Sequence, residues 1–545
     1  MLSTSKTLIL WPLTVLCLAA RVTGQEVFDE KLSLRTLQDG KVESTFTFTT
    51  LLKGTLPRDP RTLDEEDLSQ HYKLFPLALG QILREYAITE LHLNINAGNW
   101  NYDRWGYPEE KGVGTGAELW AWLGDGATKT VDERWRGLRN ALAGLFCASL
   151  GSLDELRTTS PAETFTPEGT LPTWGDSLSH QLRHASLPSE HVCTENLTPF
   201  LKLLPCKSLS GIATLLNPHR LFDADWHGMG VHVLWREEQG IEMRLTFQSV
   251  SDPLRSGLHK KPDWSMQSLF DRTITRTCPV ARTSEIMVSL PQNAAYHIRP
   301  EPSSVSGSVA LYDVASVEKP LNVDLLFHES LTYPLEYRSD SVPFTVRRVL
   351  LGSTQTHGQL SVTITNQKPY TVQALYLETM PWLVQFYLHT LQAKVDGVIQ
   401  DGIISNITYI PPVAHSRPTT FQALLTLPAQ TTVHITMDVT KAFLRYTEHL
   451  PDAQRGWDLP PAVFTPLEVG PLNLNDTNVG QKAEEKRRIY TSTLLVDLAT
   501  PDFSMPYNVI IFTCSVVAFI FGNVFNLLTR RFVVVRLEED KGKKE

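Results

Sequence analysis

FSMPYNVIIFTCSVVAFIFGNVFNLLT, residues 503–529, contains no charged side chain and is bounded by Asp502 before it and Arg530 and Arg531 after it. At about 1.5 Å of rise per residue, the roughly twenty residues from Val509 to Leu528 match the roughly 30 Å hydrocarbon core of a bilayer. Apart from Thr513 and Ser515, residues 509–521 are apolar all round, so no solvated face remains as it would on an amphipathic core helix. Residues 508–529 therefore read as one transmembrane helix. The cations that follow (Arg530, Arg531, Arg536, Lys541, Lys543, Lys544) place the tail 530–545 in the cytoplasm. Everything before the helix is then expected across the membrane.

The other end of the chain supplies an entry signal. Lys6 precedes the apolar run LILWPLTVLCLAA, and Val22 and Gly24 suit cleavage before Gln25, so 1–24 read as a signal peptide. Together the two ends predict a type I single-pass protein. Its exoplasmic part holds roughly 480 residues, enough for two or three domains with substantial cores. The net charge of -9 is spread over interspersed acids and bases, which argues against a nucleic-acid or polyelectrolyte partner.

Six cysteines are present, but Cys17 lies in the signal and Cys514 in the span, leaving Cys147, Cys193, Cys206 and Cys278. These fit two internal bridges, or one bridge, one cysteine for a partner and one buried thiol. Cys193 lies in EHVCTENLTPFLKLLPC, residues 190–206, among polar and turn-favouring residues. Exposed in an oxidising compartment, it is expected to form a disulfide, and spacing alone allows closure on Cys206. Sequons at Asn196, Asn406 and Asn475 fit secretory entry, with Pro199 reducing use of the first.

Pattern divides the mature chain into an α+β part, 25–300, and a β-sandwich-like part with its juxtamembrane segment, 301–502. In the first, STFTFTTLL (44–52), ELHLNI and AELWAWL read as strands, and KLFPLALGQILREY (73–86) as a helix. The aromatic loop NWNYDRWGY (99–107) reads as a local core ahead of a contact surface. A second helix over 131–149 carries the stripe Trp135, Leu138, Leu142, Leu145, Phe146, and Cys147 reads as a buried free thiol within it. Residues 158–178 look like a surface loop. The Pro- and Ser-rich RPEPSSVSGS (299–308) is the expected boundary. Beyond it, VALYDV, LNVDLLF, TVRRVLL, QLSVTITN, TVQALYLETM, FYLHTLQAKV, FQALLTLP and TTVHITMDV recur at the spacing of an antiparallel sandwich. The predicted fold is mainly β, with an α+β N-terminal part, followed by one C-terminal transmembrane helix.

Catalytic signatures are missing: no GxSxG elbow, HExxH helix, P-loop or paired CxxC frame occurs. His180 and His184 have helical metal spacing but no further ligands and read as surface histidines. His227 and His232, in DWHGMGVH, sit in a stretch too Gly-rich to fix two ligands on a helix. A non-catalytic role without cofactor or metal is expected.

Five blocks carry a family resemblance: LATPDFSMPYNVI with FNLLTR after it, VCTENLTPFLKLLPC, GLFCASL, HYKLFPLALGQIL and GAELWAWL. They run in family order from about residue 71 to residue 531, and together the chain resembles the PIG-T family of glycosylphosphatidylinositol (GPI) transamidase subunits. Nothing is carried over to 207–260 or 290–345, where no block matches. The resemblance implies an endoplasmic reticulum membrane complex that removes a C-terminal signal from a proprotein and joins the new carboxyl end to the ethanolamine of a GPI lipid. It implies an accessory, non-catalytic subunit that stabilises the cysteine-protease-like PIG-K and is disulfide-linked to it through Cys193. PIG-S, PIG-U and a GAA-type subunit are the other implied partners, and GPI and proprotein are substrates of the complex. With Cys193 assigned outward on this resemblance, Cys147 in its apolar helix is the expected free thiol, and Cys206 with Cys278 the expected internal pair. Gly522, Asn523 and Asn526 form a face on the span expected to meet another helix or a lipid head group. Lys541 and Lys543 have the spacing of a KxKxx retrieval signal. The rival classes are a membrane-bound secretory-pathway hydrolase and a trafficking receptor for folded cargo.

Overall fold

The computed structural model describes residues 25–535 apart from 66–70, 175–178, 256–261, 292–293, 317–319, 328–332, 334, 336–341, 353, 450–455, 468–486, 501–503 and 532. An eleven-stranded sheet dominates the first half. Its spatial order is 304–306, 309–313, 283–289, 26–36, 42–52, 240–251, 226–236, 88–97, 116–124, 180–187, 158–159. Neighbours are antiparallel except Glu26–Thr36 and Thr283–Ser289, which run parallel.

Alternation decides what each face of this sheet meets. Along Ile88–Ala97, Leu91, Leu93 and Ile95 point to one side, where they pack with Leu79, Leu138, Leu142 and Phe200 from the helices Leu77–Glu85, Val131–Phe146 and Thr194–Leu203. Glu90, His92, Asn94 and Asn96 point to the other side and are buried as well. A period-two strand normally leaves its polar face in water. Here that face is covered within the same body: Asn96 Nδ2 donates to Gly112 O and Gly114 O, Glu90 accepts from the Glu168 and Gly169 N–H groups, and His92 stacks on Trp120.

The second half is a sandwich. One sheet runs in the order 344–351, 357–366, 432–441, 392–395, 398–399, with 384–386 also on 432–441. The other runs 404–410, 419–427, 372–380, 463–467, 489–490. Leu360, Val362 and Ile364 of one sheet interdigitate with Ala374, Tyr376, Phe421 and Ala423 of the other in one core. Mainly β architecture with a single C-terminal apolar helix is thus what the chain adopts. The strands Ser304–Ser306 and Val309–Asp313 extend the first sheet, and Asp324–Phe327 pairs with Tyr296–Arg299. The chain therefore changes body between Phe327 and Phe344, later than the 299–308 passage, which is a turn into a hairpin.

The two bodies share a core. Trp100, Trp105, Trp120 and Phe165 of the first pack in one cluster with Leu377, Val463 and Tyr490 of the second. The aromatic loop is thus buried at the junction. So is part of 158–178, where Thr164 and Phe165 are fully buried, correcting the surface reading. The helix Ser504–Thr529 follows, and Tyr507–Thr529 is the one helix among the described residues long and apolar enough to cross a membrane.

Candidate functional site

The site is built where two helices meet end to start. Helix 131–146 opens on a capping box, Thr130 Oγ1 accepting from Glu133 N–H at 3.2 Å while Glu133 accepts from Thr130 N–H at 2.8 Å. It ends at Cys147, which adopts the left-handed conformation (φ 53, ψ 42) while Ala148 N–H closes on Ala143 O. That turn swings the Cys147 side chain out of the apolar stripe, so the thiol is unpaired but exposed, and the expectation of burial is corrected.

Cys193 is the N-cap of helix 194–203, likewise exposed and unpaired. One side chain stitches the two cysteine-bearing ends together. Asn196 Oδ1 accepts from Cys193 N–H at 2.7 Å, and Asn196 Nδ2 donates to Phe146 O at 2.9 Å and Cys147 O at 3.3 Å. With 1% exposure and both amide hydrogens engaged, Asn196 has no room for a glycan in the fold, so the sequon reading there gives way to a structural amide. Asn406 is exposed, with φ 47 at the irregularity between Ser405 and Thr408; Asn475 lies outside the described residues.

Cys206 and Cys278 form a disulfide with Cα atoms 5.9 Å apart, across 72 residues, so Cys206 is not available to Cys193. Beside the two free thiols a cleft of about 360 Å³ opens between the bodies, lined by Ser149, Ser152, Asp154, Arg157, Glu190 and Trp457 among others. Glu190 accepts from Ser149 N–H at 2.9 Å, tying the loop after Cys147 to the loop before Cys193. Arg157 of the first body lies 5.2 Å from the ring of Trp457 of the second, so the two bodies meet across the cleft.

The histidines lie elsewhere and are not surface residues. His184 is buried on strand His180–Leu187, its Nε2 3.0 Å from Glu118 Oε1, while Glu118 Oε2 accepts from Tyr490 OH at 2.8 Å. Burial opposes ionisation of Glu118, but His184, Tyr490 and Arg488 outweigh it and hold the carboxyl below its usual range. His232 Nδ1 is 2.9 Å from His92 Nδ1, and His92 Nε2 is 3.0 Å from Glu90. Burial pushes the His232 imidazole well below its ordinary range, with Arg244 and His92 adding to it. Among the described residues no group of three metal-ligating side chains is arranged to hold an ion. The histidine pairs lie within the first body, and of the bonds just named the one from Tyr490 OH to Glu118 joins it to the second. Gly522, Asn523 and Asn526 are on the apolar helix, and Lys541 and Lys543 lie outside the described residues.

Fold and site define a β-rich two-body protein on one membrane-compatible helix, with an exposed unpaired cysteine beside an inter-body cleft. The family model described as Gpi16 subunit, GPI transamidase component, matches residues 12–261 and 253–545, and the chain belongs to this family. The human GPI-anchor transamidase component PIGT is 36% identical over 540 residues, 92% of this chain and 90% of its own. The PIG-T homolog of Schizosaccharomyces pombe is 33% identical over 481 residues, 85% and 83% of the two chains. The Saccharomyces cerevisiae component GPI16 is 29% identical over 567 residues, 94% and 90%. A solved structure, the RrgA Jo.In complex, aligns with 23% of this chain and 72% of its own at 13% identity and TM-score 0.18, a likeness that carries no argument.

Proposed function

We propose that this chain is a non-catalytic subunit of the GPI transamidase, acting in attachment of GPI anchors to proprotein C-termini by scaffolding and stabilising the PIG-K protease subunit. The observation that carries the reading is Cys193: exposed, unpaired, and fixed at a helix start that Asn196 ties to the neighbouring helix. A disulfide from such a point holds a partner in one orientation, and orientation of an acyl intermediate against its amine nucleophile can lower a barrier by several kcal/mol. The cysteine nucleophile belongs to PIG-K in this reading, and PIG-S, PIG-U and a GAA-type subunit complete the complex. The body lies in the endoplasmic reticulum lumen, with Asn406 a glycan acceptor. The face of Gly522, Asn523 and Asn526 meets a neighbouring helix or lipid head group, and Lys541 and Lys543 act in retrieval. Non-reducing electrophoresis of the detergent-solubilised complex tests the covalent link. Wild type should run as a reductant-sensitive adduct of PIG-K size, and Cys193→Ser should abolish it while Cys147→Ser retains it. Persistence of the adduct in Cys193→Ser would overturn the assignment.

A further inference from the structure

One end of the sandwich carries a group of exposed apolar and aromatic side chains. Met380 pairs with Thr419, and Ala442 N–H donates to Leu383 O at 2.7 Å, so the loop before Thr419 and the segment after Lys441 emerge together. From them project Ile410 (37% exposed), Val413 (45%), Phe443 (71%) and Tyr446 (47%). They form one surface: His415 lies 4.2 Å from the Trp382 ring and pairs with Glu448, linking the two loops. Leu444, 1% exposed, is anchored in the sandwich core and holds Phe443, Arg445 and Tyr446 outward in a fixed presentation.

The chain leaves for its apolar helix from this same end. Trp457 lines a pocket with Pro381 and Pro418, which bound the same strands, and Trp457 pairs with Val496. From Val496 to Ser504 the backbone reaches at most about 28 Å. With the helix in a bilayer, that reach keeps Val496 and the end of the sandwich beside it within about 28 Å of the helix start, whereas the hairpin with Val398 (70% exposed) and Ile399 (59%) lies at the opposite end, next to Val395 and Val433. Aromatic rings flanking an arginine are the chemistry that settles at a membrane interface, ring in the acyl boundary and guanidinium at the phosphates.

We propose that the Ile410–Val413 loop and the Phe443–Tyr446 segment form a lipid-contacting surface that seats the sandwich on the bilayer. The test places the photo-crosslinking residue p-benzoylphenylalanine at 443, 413 or 398 of the full-length chain. Each variant, purified with its co-assembling subunits, is reconstituted in phosphatidylcholine nanodiscs and photolysed, and adducts are read by mass spectrometry. Lipid adducts at 443 and 413 several-fold above those at 398 are expected. Polypeptide adducts at 443, meaning a protein partner, or lipid adducts no higher than at 398, meaning a solvated end, would each overturn it. Position 413 keeps the test decisive should the substitution at 443 impair folding. A result here is independent of the Cys193 link.

Discussion

Replacing Asn196 by alanine removes the amide that joins the end of helix 131–146 to the start of helix 194–203. Three hydrogen bonds go with it, at 2.7, 2.9 and 3.3 Å. Only the bond to Phe146 O is fully buried, so that carbonyl loses its partner without water to replace it, costing about 1–3 kcal/mol. The partners at Cys193 N and Cys147 O are part-buried and regain water, so each contributes about 0.5–1 kcal/mol. The total, about 3 kcal/mol, corresponds to a local opening constant raised about 100-fold. Amide hydrogen exchange of the assembled protein, followed in peptides over 143–150 and 193–203, reads it directly. Protection there should fall by about two decades while the strands of the sandwich stay unchanged. Asn196→Asp separates the roles: it keeps an acceptor for Cys193 N–H but sets an anion against two carbonyls, and should lose at least as much. A change below about threefold in both peptides would refute the claim that this amide positions the thiols.

The same burial predicts that Asn196→Gln leaves the endoglycosidase-sensitive mobility shift unchanged, whereas Asn406→Gln should reduce that shift by one glycan. In the sandwich, the fully buried Arg348–Glu378 pair, 2.6 Å apart and supported by Tyr376 OH at 2.8 Å, should make Arg348→Met cost about 3–5 kcal/mol, because it strands a buried carboxylate. Arg348→Met combined with Glu378→Leu should recover most of the lost melting temperature, and a double variant no better than the single would refute this. His227, where burial and then the charge of His191 lower the imidazole to about 4, stays neutral in the fold while the unfolded chain protonates near 6.5. Its stability contribution is complete above pH 6.5 and is lost as pH falls toward 4, by about 3 kcal/mol at most. Melting temperature against pH should therefore fall less steeply for His227→Gln over this range, and identical slopes would count against it.

What the residue pattern revealed and what it hid follow from range. A charge-free run without a polar face has no stable place in water, so Tyr507–Thr529 was legible at once. The alternation Leu360, Val362, Ile364 likewise encodes one buried and one open face of a sandwich strand. Strand 88–97 shows as a strand in its alternation, but the alternation does not show that its polar side is buried, because Glu90 and Asn96 find their partners in the loops at Glu168–Gly169 and Gly112–Gly114. His180 and His184 show a local ambiguity: a separation of four is about one helical turn and also two strand repeats, and here it is a strand. Cys147 failed by one position, since an apolar stripe does not announce the left-handed residue that ends it. Asn196 carried two signals, a sequon and the third position after a cap, and the second describes its place in the fold.

The junction bears on the scaffold we propose more than either body alone. The Arg488 guanidinium lies 5.1 Å from the Trp120 ring and 4.7 Å from Phe165, with Glu168 at 3.4 Å, and Tyr490 reaches Glu118. Burial opposes ionisation of Glu168, yet His92, Arg488 and Lys111 together hold its carboxyl far below the usual range, so this contact stays charged. Arg488 and Tyr490 stand just before Leu494–Val496, the strand that leads to the apolar helix. The segment feeding the membrane anchor is thereby fastened to the sheet whose helices carry Cys193. With a shared aromatic core between the bodies, a partner bonded at that thiol, as we propose, would keep one orientation relative to both bodies. A rigid tether of this kind raises effective concentration only for geometries it permits, so the stiffness of the junction would decide which membrane-embedded substrates the assembly can reach.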